Sequence, residues 1–303
     1  MLAEIDRIIF GDNQFFGINH MSEEKAQAQA ERFKDVHAIL KVIDAAYDCG
    51  IHAFMFNTHD RVAEICDHFR ANPQKYSDLR LYPSMPYAHK YANAVNEKGM
   101  IGALSEFLFA GRTVGQAVTT IVRSGRSIVN RDMIEVMKLL VDAEMRMFRG
   151  LNVRAVFLQN IVTDLLLGLR AKPIIIEFAD HAQSTYGVDA AFNTMNMPRL
   201  VDFLEECGIR NPIVCSSINK AGYLMSPSRQ EYERTLATKQ FRPMAMSVLA
   251  SGAIPVDEAI DYVCSLPNIQ GIVFGASSRT HISETRQMIL SRWGTRTVPC
   301  TIS

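Results

Sequence analysis

The chain has 303 residues, and its 32 Lys and Arg balance 32 Asp and Glu, so the formal net charge is +0. This balance argues against a general nucleic-acid-binding protein, which carries an excess of positive charge. Hydrophobic residues make up 48% and charged residues 21% of the chain, which excludes a disordered protein. The length suits either one (β/α)8 barrel of about 250 residues with some 50 extra residues, or two medium-sized domains.

The sequence carries no recognisable targeting or membrane segment. Its first residues lack the basic and apolar regions of a signal peptide, and no uncharged apolar run reaches the roughly 18 residues of a membrane span. The six cysteines form no C-x-x-C pair, which favours buried free thiols over disulfides or a zinc framework. We therefore expect a cytoplasmic protein with no membrane or nucleic-acid partner.

Eight short apolar runs recur along the chain and predict eight strands. Most are continuous rather than alternating, which is typical of strands buried on both faces of a parallel sheet. The runs are Arg7–Phe10, His52–Phe56, Arg80–Pro83, Ala155–Gln159, Ile174–Phe178, Ile213–Cys215, Met244–Val248 and Gly271–Phe274.

Amphipathic helices are predicted between these runs, several of them ended by a glycine. Alternating strands and helices indicate a parallel sheet, and eight such units favour a closed barrel over a doubly wound sheet. No linker divides the chain, so we expect a single α/β domain, a TIM barrel spanning residues 1–303. The main helices are Asp35–Cys49, Arg131–Phe148, Met197–Cys207, Pro255–Cys264 and Thr280–Leu290.

The connection after the third strand is abnormally long for a loop between a strand and its helix. Residues 85–130 form a predicted helical insertion, with helices at 87–96, 100–110 and 113–123, and Ser22–Arg32 is a second added helix. Both follow the carboxyl end of a strand, where barrel active sites are built. We interpret the longer insertion as a lid or substrate-specificity wall. The alternative is a helix pair that joins two copies of the chain in a homo-oligomer.

Three segments resemble the aldo-keto reductases. Asp44–Phe54 is similar to the passage from their first barrel helix to the second strand, and Pro243–Ile254 to their seventh strand and loop. Pro255–Ile289 resembles their last helix–strand–helix unit, and the likeness is sharpest after Arg242. The resemblance implies a TIM barrel more strongly than it implies an activity.

The family reduces carbonyls with NADPH through an Asp, Tyr, Lys and His tetrad, which this chain does not match. The Asp position falls on Met55, the Tyr near His59 or Asp60, the Lys near Pro83 or Ser84, and the His on Gln159. Hydride transfer needs a proton donor of suitable pKa beside the carbonyl, which places ordinary aldo-keto reduction in doubt. His59 is the residue that would replace the missing acid.

Small residues follow the seventh and eighth strands, at the usual phosphate site of TIM barrels. A helix begins after Gly275, where backbone N–H groups and the helix dipole favour an anion, and Arg279 adds a charged fork. The pattern fits the phosphate of NADP, of FMN or of a phosphorylated substrate, and small-residue turns are the structural alternative. The predicted phosphate-binding residues are Ser251, Gly252, Gly275, Ser277, Ser278 and Arg279.

Polar side chains at three predicted strand ends are candidates for catalysis. Asp12 follows the first strand as a base or metal ligand, or as a loop cap. His59 follows the second strand and titrates near neutrality, so it is our first choice for proton transfer, unless it caps the next helix. Glu177 lies in the predicted fifth strand, where an acid faces the barrel mouth or has a cationic partner.

Lys220 lies past the sixth strand, where a lysine can form a Schiff base or bind an anion, and polar neighbours favour a solvated or anion-binding role. Asp12, His59, Glu177 and His181 have ligand types suited to a divalent metal, although no local spacing supports one.

Three functions follow in order of preference. The first is lyase or isomerase-type acid–base chemistry on a small anionic or phosphorylated metabolite, and the second is an NADP(H)-dependent oxidoreductase with a rebuilt proton relay. The third is a non-catalytic binding protein on a degenerate barrel.

Overall fold

Eight parallel strands pair in chain order and close into a barrel in the computed structural model of the chain. The structure describes residues 4–17, 23–87 and 131–294. Strand β1 pairs with β8 on one side and with β2 on the other, which closes the sheet. The strands are β1 (Ile8–Phe10), β2 (Ala53–Asn57), β3 (Arg80–Met85), β4 (Ala155–Leu158), β5 (Asp189–Thr194), β6 (Ile213–Ser217), β7 (Arg242–Met246) and β8 (Gly271–Phe274).

Ten α-helices lie among the described residues, and the predicted alternation of strands and helices is confirmed. No helix in these residues is long and apolar enough to cross a bilayer. The helices are α1 (Glu23–Arg32), α2 (Val36–Asp48), α3 (Asp60–Ala71), α4 (Arg131–Met145), α5 (Asn160–Gly168), α6 (Lys172–Tyr186), α7 (Met197–Glu206), α8 (Arg229–Thr238), α9 (Val256–Ser265) and α10 (Arg279–Gly294).

The fifth strand was predicted in the wrong place. Ile174–Phe178 is part of helix α6, which begins with a proline in its first turn and ends at Gly187 with a left-handed φ of 67°. The buried side chains of α6 recur at helical spacing, and Ile176 between them is exposed. The true strand β5 carries Asp, two alanines and an Asn, so its sequence lacks the β-branched run that marks a buried strand.

The structure divides into two compact units, and each has its own aromatic core. The first unit takes in Glu4 and Met55–Cys215, and the second takes in Ile5–Phe54 and the chain from Ser216 onward. In the second unit the ring of Phe10 packs against Phe15, Phe54 and Phe274. In the first unit Phe178 of α6 packs edge-on against Phe192 of β5. The segment predicted as the fifth strand is thus a helix that packs against the fifth strand.

The structure shows free thiols, as the sequence predicted. Cys66, Cys215 and Cys264 are buried free thiols, and burial raises the pKa of Cys66 to about 12.

Residues 88–130, which hold nearly all of the predicted insertion, lie outside the described part of the chain. Its interpretation as a lid or an oligomer contact therefore stays a prediction.

Candidate active site

Amide and hydroxyl side chains occupy the carboxyl ends of the strands in the first unit. Gln159, directly after β4, donates from Nε2 to Oδ1 of Asn57 at the end of β2, at 3.2 Å. Asn193 of β5 donates from Nδ2 to the Ser84 hydroxyl of β3, at 2.9 Å, and both side chains are buried. These groups bind and orient polar atoms, but they do not change charge near neutral pH.

The amide oxygens of Asn193, in β5, and of Asn196, just after it, accept no hydrogen bond from the part of the chain that the structure describes. The Oδ1 atom of Asn193 is buried and accepts no hydrogen bond from the described residues. The Asn193 side chain as a whole is only 6% exposed. Since a buried polar atom without a partner costs free energy, this oxygen suits a ligand that brings an N–H or O–H group.

His59 is fixed in one tautomeric arrangement by helix α3. It is the N-cap residue, and its Nδ1 accepts the backbone N–H of Arg61 at 3.2 Å. An Nδ1 that accepts a hydrogen bond carries no proton, so the neutral ring holds its proton on Nε2. The ring centroid lies 5.8 Å from that of Tyr87. The capping role that the sequence offered as an alternative is therefore present, and it leaves Nε2 as the proton-bearing atom.

Glu144 of helix α4 is a buried acid beside these strand ends, and the sequence did not single it out. Only 2% of it is exposed. Its carboxylate accepts the Thr58 hydroxyl and the backbone N–H of Tyr87, the latter at 3.2 Å. The signal that could have found it is an acid on the apolar face of a helix, which requires donors when it is buried.

Glu177 and His181 do not belong to this site. Both lie on α6, where Glu177 forms an ion pair with Lys138 and His181 Nε2 lies 2.7 Å from Asp142 Oδ1. The predicted strand at Glu177 is wrong, because the segment is helical. Of the two alternatives for its acid, the cationic partner is present, since Glu177 lies partly exposed and paired with Lys138 of α4.

No metal centre appears among the described residues, where no group of three His, Cys, Asp or Glu side chains converges. The metal interpretation also loses two of its four candidates, Glu177 and His181, to helix α6. The two remaining candidates, Asp12 and His59, do not converge with a third ligand among the described residues.

In the second unit, two side chains fill the turn after β1. Asp12 is 3% exposed, and its carbonyl accepts the N–H of Phe15. Gln14 donates from Nε2 to the Gly11 carbonyl at 2.8 Å, and its Oε1 would lie 2.0 Å from a Cβ placed on Gly275. The glycine after β8 therefore admits the Gln14 carboxamide, which a larger residue would displace.

The loops after β7 and β8 combine unusual backbone with exposed cations. Ser251 and Gly252 have left-handed φ values of 57° and 88°. The Ser277 carbonyl accepts from Arg32 Nη2 at 2.7 Å, and Arg279, 64% exposed, lies 3.7 Å from Asp48. Two guanidinium groups thus lie at the amino terminus of the 16-residue helix α10.

Ser278 and Lys220 have local structural roles in the same unit. The Ser278 hydroxyl accepts the backbone N–H of His281 at 3.3 Å, in the first turn of α10. Lys220 Nζ lies 2.6 Å from Glu258 Oε1 and its side chain is 49% exposed, which is a solvated environment and not a desolvated one.

The four positions matched to the aldo-keto reductase tetrad contain no acid or base except His59 or Asp60. Met55 lies buried within β2, and Ser84 and Gln159 belong to the amide and hydroxyl layer. His59 caps α3, and Asp60 is exposed in its first turn.

Solved aldo-keto reductases share this fold at very low sequence identity. Two structures of a putative aldo-keto reductase from Pseudomonas aeruginosa are 11% and 10% identical, with TM-scores of 0.55 and 0.57. The alignments cover 95% of this chain and 90% and 91% of the other chains. A Bombyx mori aldo-keto reductase in complex with NADP is 9% identical over 99% of this chain and 92% of its own, with a TM-score of 0.53.

No protein-family model and no curated protein sequence matches the chain. The likeness therefore establishes an aldo-keto reductase-like (β/α)8 fold, as the sequence resemblance predicted.

Proposed function

We propose that the chain is an NADP(H)-dependent oxidoreductase that reduces a small carbonyl compound, with His59 as the proton donor. The observation that carries the proposal is the buried Oδ1 of Asn193 at the carboxyl end of β5, which has no hydrogen-bond partner among the described residues. Ligand sites in this fold lie at that end of the strands. A carboxamide N–H, such as that of nicotinamide, supplies the donor that this oxygen lacks. The NADP complex of a protein with the same fold agrees with this choice.

The second unit, taken by itself, offers candidate residues for a cofactor phosphate. Arg279 and Arg32, with the amino terminus of α10, offer positive charge to a phosphate, and Ser277 and Ser278 are small residues before that helix. Ser251 and Gly252 add a turn that phosphate can approach closely. When bound, NADPH supplies the hydride that is added to the carbonyl carbon.

His59 supplies the matching proton in this proposal. In the neutral ring Nδ1 accepts the N–H of Arg61, so the acidic form is the imidazolium, which forms when Nδ1 takes a proton and releases that N–H. The imidazolium passes its Nε2 proton to the carbonyl oxygen as the hydride adds to the carbonyl carbon, which leaves a neutral ring. The side-chain amide of Gln159 can donate to the carbonyl oxygen and hold it in place. This division of roles needs one proton donor, and His59 fills that role, while the Glu144 carboxylate is held by the Thr58 hydroxyl and the Tyr87 N–H.

The position of Glu177 is the reason for preferring redox chemistry. Acid–base chemistry of the lyase or isomerase type requires both a base and an acid. The sequence offered His59 and Glu177 for these roles, and Glu177 instead pairs with Lys138 on α6. The remaining polar layer consists mainly of amides and hydroxyls, which suit binding and orientation.

Non-redox acid–base chemistry on a small anionic or phosphorylated metabolite is the second candidate. Buried Asp12 favours it, because an acid held out of water after a strand is suited to act as a base. In that case the cations near Ser277 would bind the substrate anion, and Lys220 would be a solvated contributor to the local charge. A binding protein without turnover is the third reading.

NADPH fluorescence titration, followed by NADPH consumption with small aldehydes and ketones, separates these candidates. We expect saturable NADPH binding that weakens about tenfold in Arg279→Ala and in Asn193→Leu, while Arg234→Ala on α8 leaves it unchanged. Absence of saturable binding to the wild-type protein would overturn the proposal. Turnover that depends on His59 and needs no nucleotide would then favour the second candidate.

His59→Asn tests the proton donor with the helix cap preserved, since Asn is itself a favourable N-cap residue. We expect turnover to fall by about 10² to 10⁴-fold with NADPH affinity unchanged, because the variant cannot donate an acidic proton. Turnover within about threefold of wild type would remove His59 from the proposed role.

A further inference from the structure

A cavity of about 660 Å³ lies in the first unit, away from the carboxyl ends of the strands. Its walls include Val153, two residues before β4, and Val188, directly before β5, so the cavity lies at the amino ends of these strands. The groups proposed for reduction lie at the opposite, carboxyl ends of the same strands. This volume is within the range of small-molecule sites, about 300 to 1,000 Å³.

The cavity has an apolar floor. Met145 and Phe148 are buried there, and Leu151, Val153 and Val188 are partly exposed towards the opening. Sites for small ligands have this composition, in which apolar side chains supply most of the contact area and a few polar groups set the orientation. The ligand that fits therefore has an apolar body.

Two arginines stand at one side of the opening. A 3₁₀ turn, Arg146–Phe148, follows α4, and Arg149 is its C-cap residue, so both arginines belong to one turn and both line the cavity. Arg70 holds this turn by donating to the carbonyls of Met147 and Arg149, at 2.9 and 3.1 Å. Neither lining guanidinium forms an ion pair with a carboxylate in the part of the chain that the structure describes.

Asp142, one helical turn before Arg146, contributes a carboxylate that is already hydrogen-bonded. Asp142 Oδ1 accepts the hydroxyl of Tyr186 at 2.5 Å and lies 2.7 Å from His181 Nε2. Burial raises the pKa of Asp142, but its hydrogen bonds with Tyr186 and His181 outweigh burial and hold the pKa below its usual value. Burial and the bond to Asp142 raise the pKa of Tyr186, which keeps its proton. The lining therefore holds two cations and one hydrogen-bonded anion, so it is net positive.

We propose that this cavity is a second binding site, for a small monoanion with an apolar body such as an aryl or alkyl carboxylate or sulfonate. The apolar part packs on Met145 and Phe148, and the anionic group accepts from Arg146 and Arg149. The Tyr186 hydroxyl is committed to Asp142, so the arginines alone select the charge. The inference is independent of the proposed reduction, because no residue is shared with that site.

The test uses 8-anilino-1-naphthalenesulfonate as the probe, with neutral N-phenyl-1-naphthylamine as the control that has the same rings and no charge. Fluorescence titration of the full chain should give one saturable site that binds the sulfonate at least about tenfold more tightly than the neutral amine. Arg146→Ala and Arg149→Ala should each weaken the sulfonate about tenfold or more. Arg210→Ala, an exposed arginine outside the cavity lining, should leave its affinity unchanged.

Val188→Trp fills the cavity and covers the case in which an arginine variant folds poorly, and circular dichroism checks the fold of each variant. Loss of the saturable signal in Val188→Trp supports the proposal. Equal affinity for the charged and neutral probes overturns the assignment of charge. Sulfonate binding that survives both arginine substitutions and Val188→Trp overturns the site itself.

Discussion

The strand ends of the first unit and the loops of the second unit hold their polar groups by different means. In the first unit, side chains bind one another, as in the pairs Gln159 with Asn57 and Asn193 with Ser84. In the second unit, backbone with left-handed φ at Ser251 and exposed guanidinium groups such as that of Arg279 dominate. The first arrangement fixes the direction of each donor, and the second presents charge to solvent.

The two arrangements differ in how selectively they would bind a ligand. Buried amides with fixed partners discriminate between ligand atoms, because a mismatched atom leaves a polar group without a hydrogen bond. Exposed cations attract an anion but discriminate little, since water and salt screen them. We therefore expect substitutions in the first region to cost more than substitutions in the second. Two variants test that order, and a third, outside both regions, serves as the reference.

The largest effect is expected from Glu144→Ala in the first unit. It leaves the Thr58 hydroxyl and the Tyr87 N–H without their acceptor in a buried setting, which should lower the free energy of unfolding by about 2 to 4 kcal/mol. Urea denaturation measures the change. Glu144→Gln is the matched control and should recover part of it through one carbonyl acceptor. A loss below about 1 kcal/mol in Glu144→Ala would remove the contrast between the regions.

A smaller effect is expected from Gly275→Ala in the second unit. The new Cβ would overlap Gln14 Oε1, so the flexible Gln14 side chain must turn away and give up its bond to the Gly11 carbonyl. The expected cost is about 1 kcal/mol by urea denaturation. Gln14→Ala in the same chain should make Gly275→Ala nearly neutral. An equal cost with and without Gln14 would show that the backbone, and not this side chain, limits the position.

The smallest effect is expected from Glu177→Gln, which touches neither region. It removes a partly exposed ion pair with Lys138, for which a change of about 0.5 kcal/mol or less is normal. Carbonyl reduction should be unchanged, because α6 carries Glu177 outside the strand ends. A large loss of turnover with normal stability would return Glu177 to the active site.

The fold was more predictable from the sequence than the site. Gly271–Phe274 forms strand β8 with the predicted bounds, because a short apolar run between a turn and a glycine has few other structures available. Ile174–Phe178 misled because three isoleucines in a row are typical of a strand, whereas their burial on α6 follows the helical period. Local propensity was overruled there by packing against β5.

The site depends on contacts between residues far apart in the chain, which no local pattern records. Glu144 accepts the Thr58 hydroxyl, although 86 positions separate them in the chain. The Oδ1 of Asn193 has no hydrogen-bond partner among the described residues, which only the structure can show. The sequence singled out His59 because a histidine after a strand is informative by its type alone, and its catalytic role stays a prediction. The phosphate-binding assignment at Gly275–Arg279 stays a prediction.

The contact between Gln14 and Gly275 also sets the order in which these two positions can change. A shorter residue at position 14 leaves Gly275 unaffected, so that substitution can come first. A larger residue at position 275 is tolerated only after Gln14 has been replaced, because its Cβ would overlap Gln14 Oε1. The first turn of the barrel thereby restricts the variation of its last strand–helix loop, although 260 positions of sequence separate them.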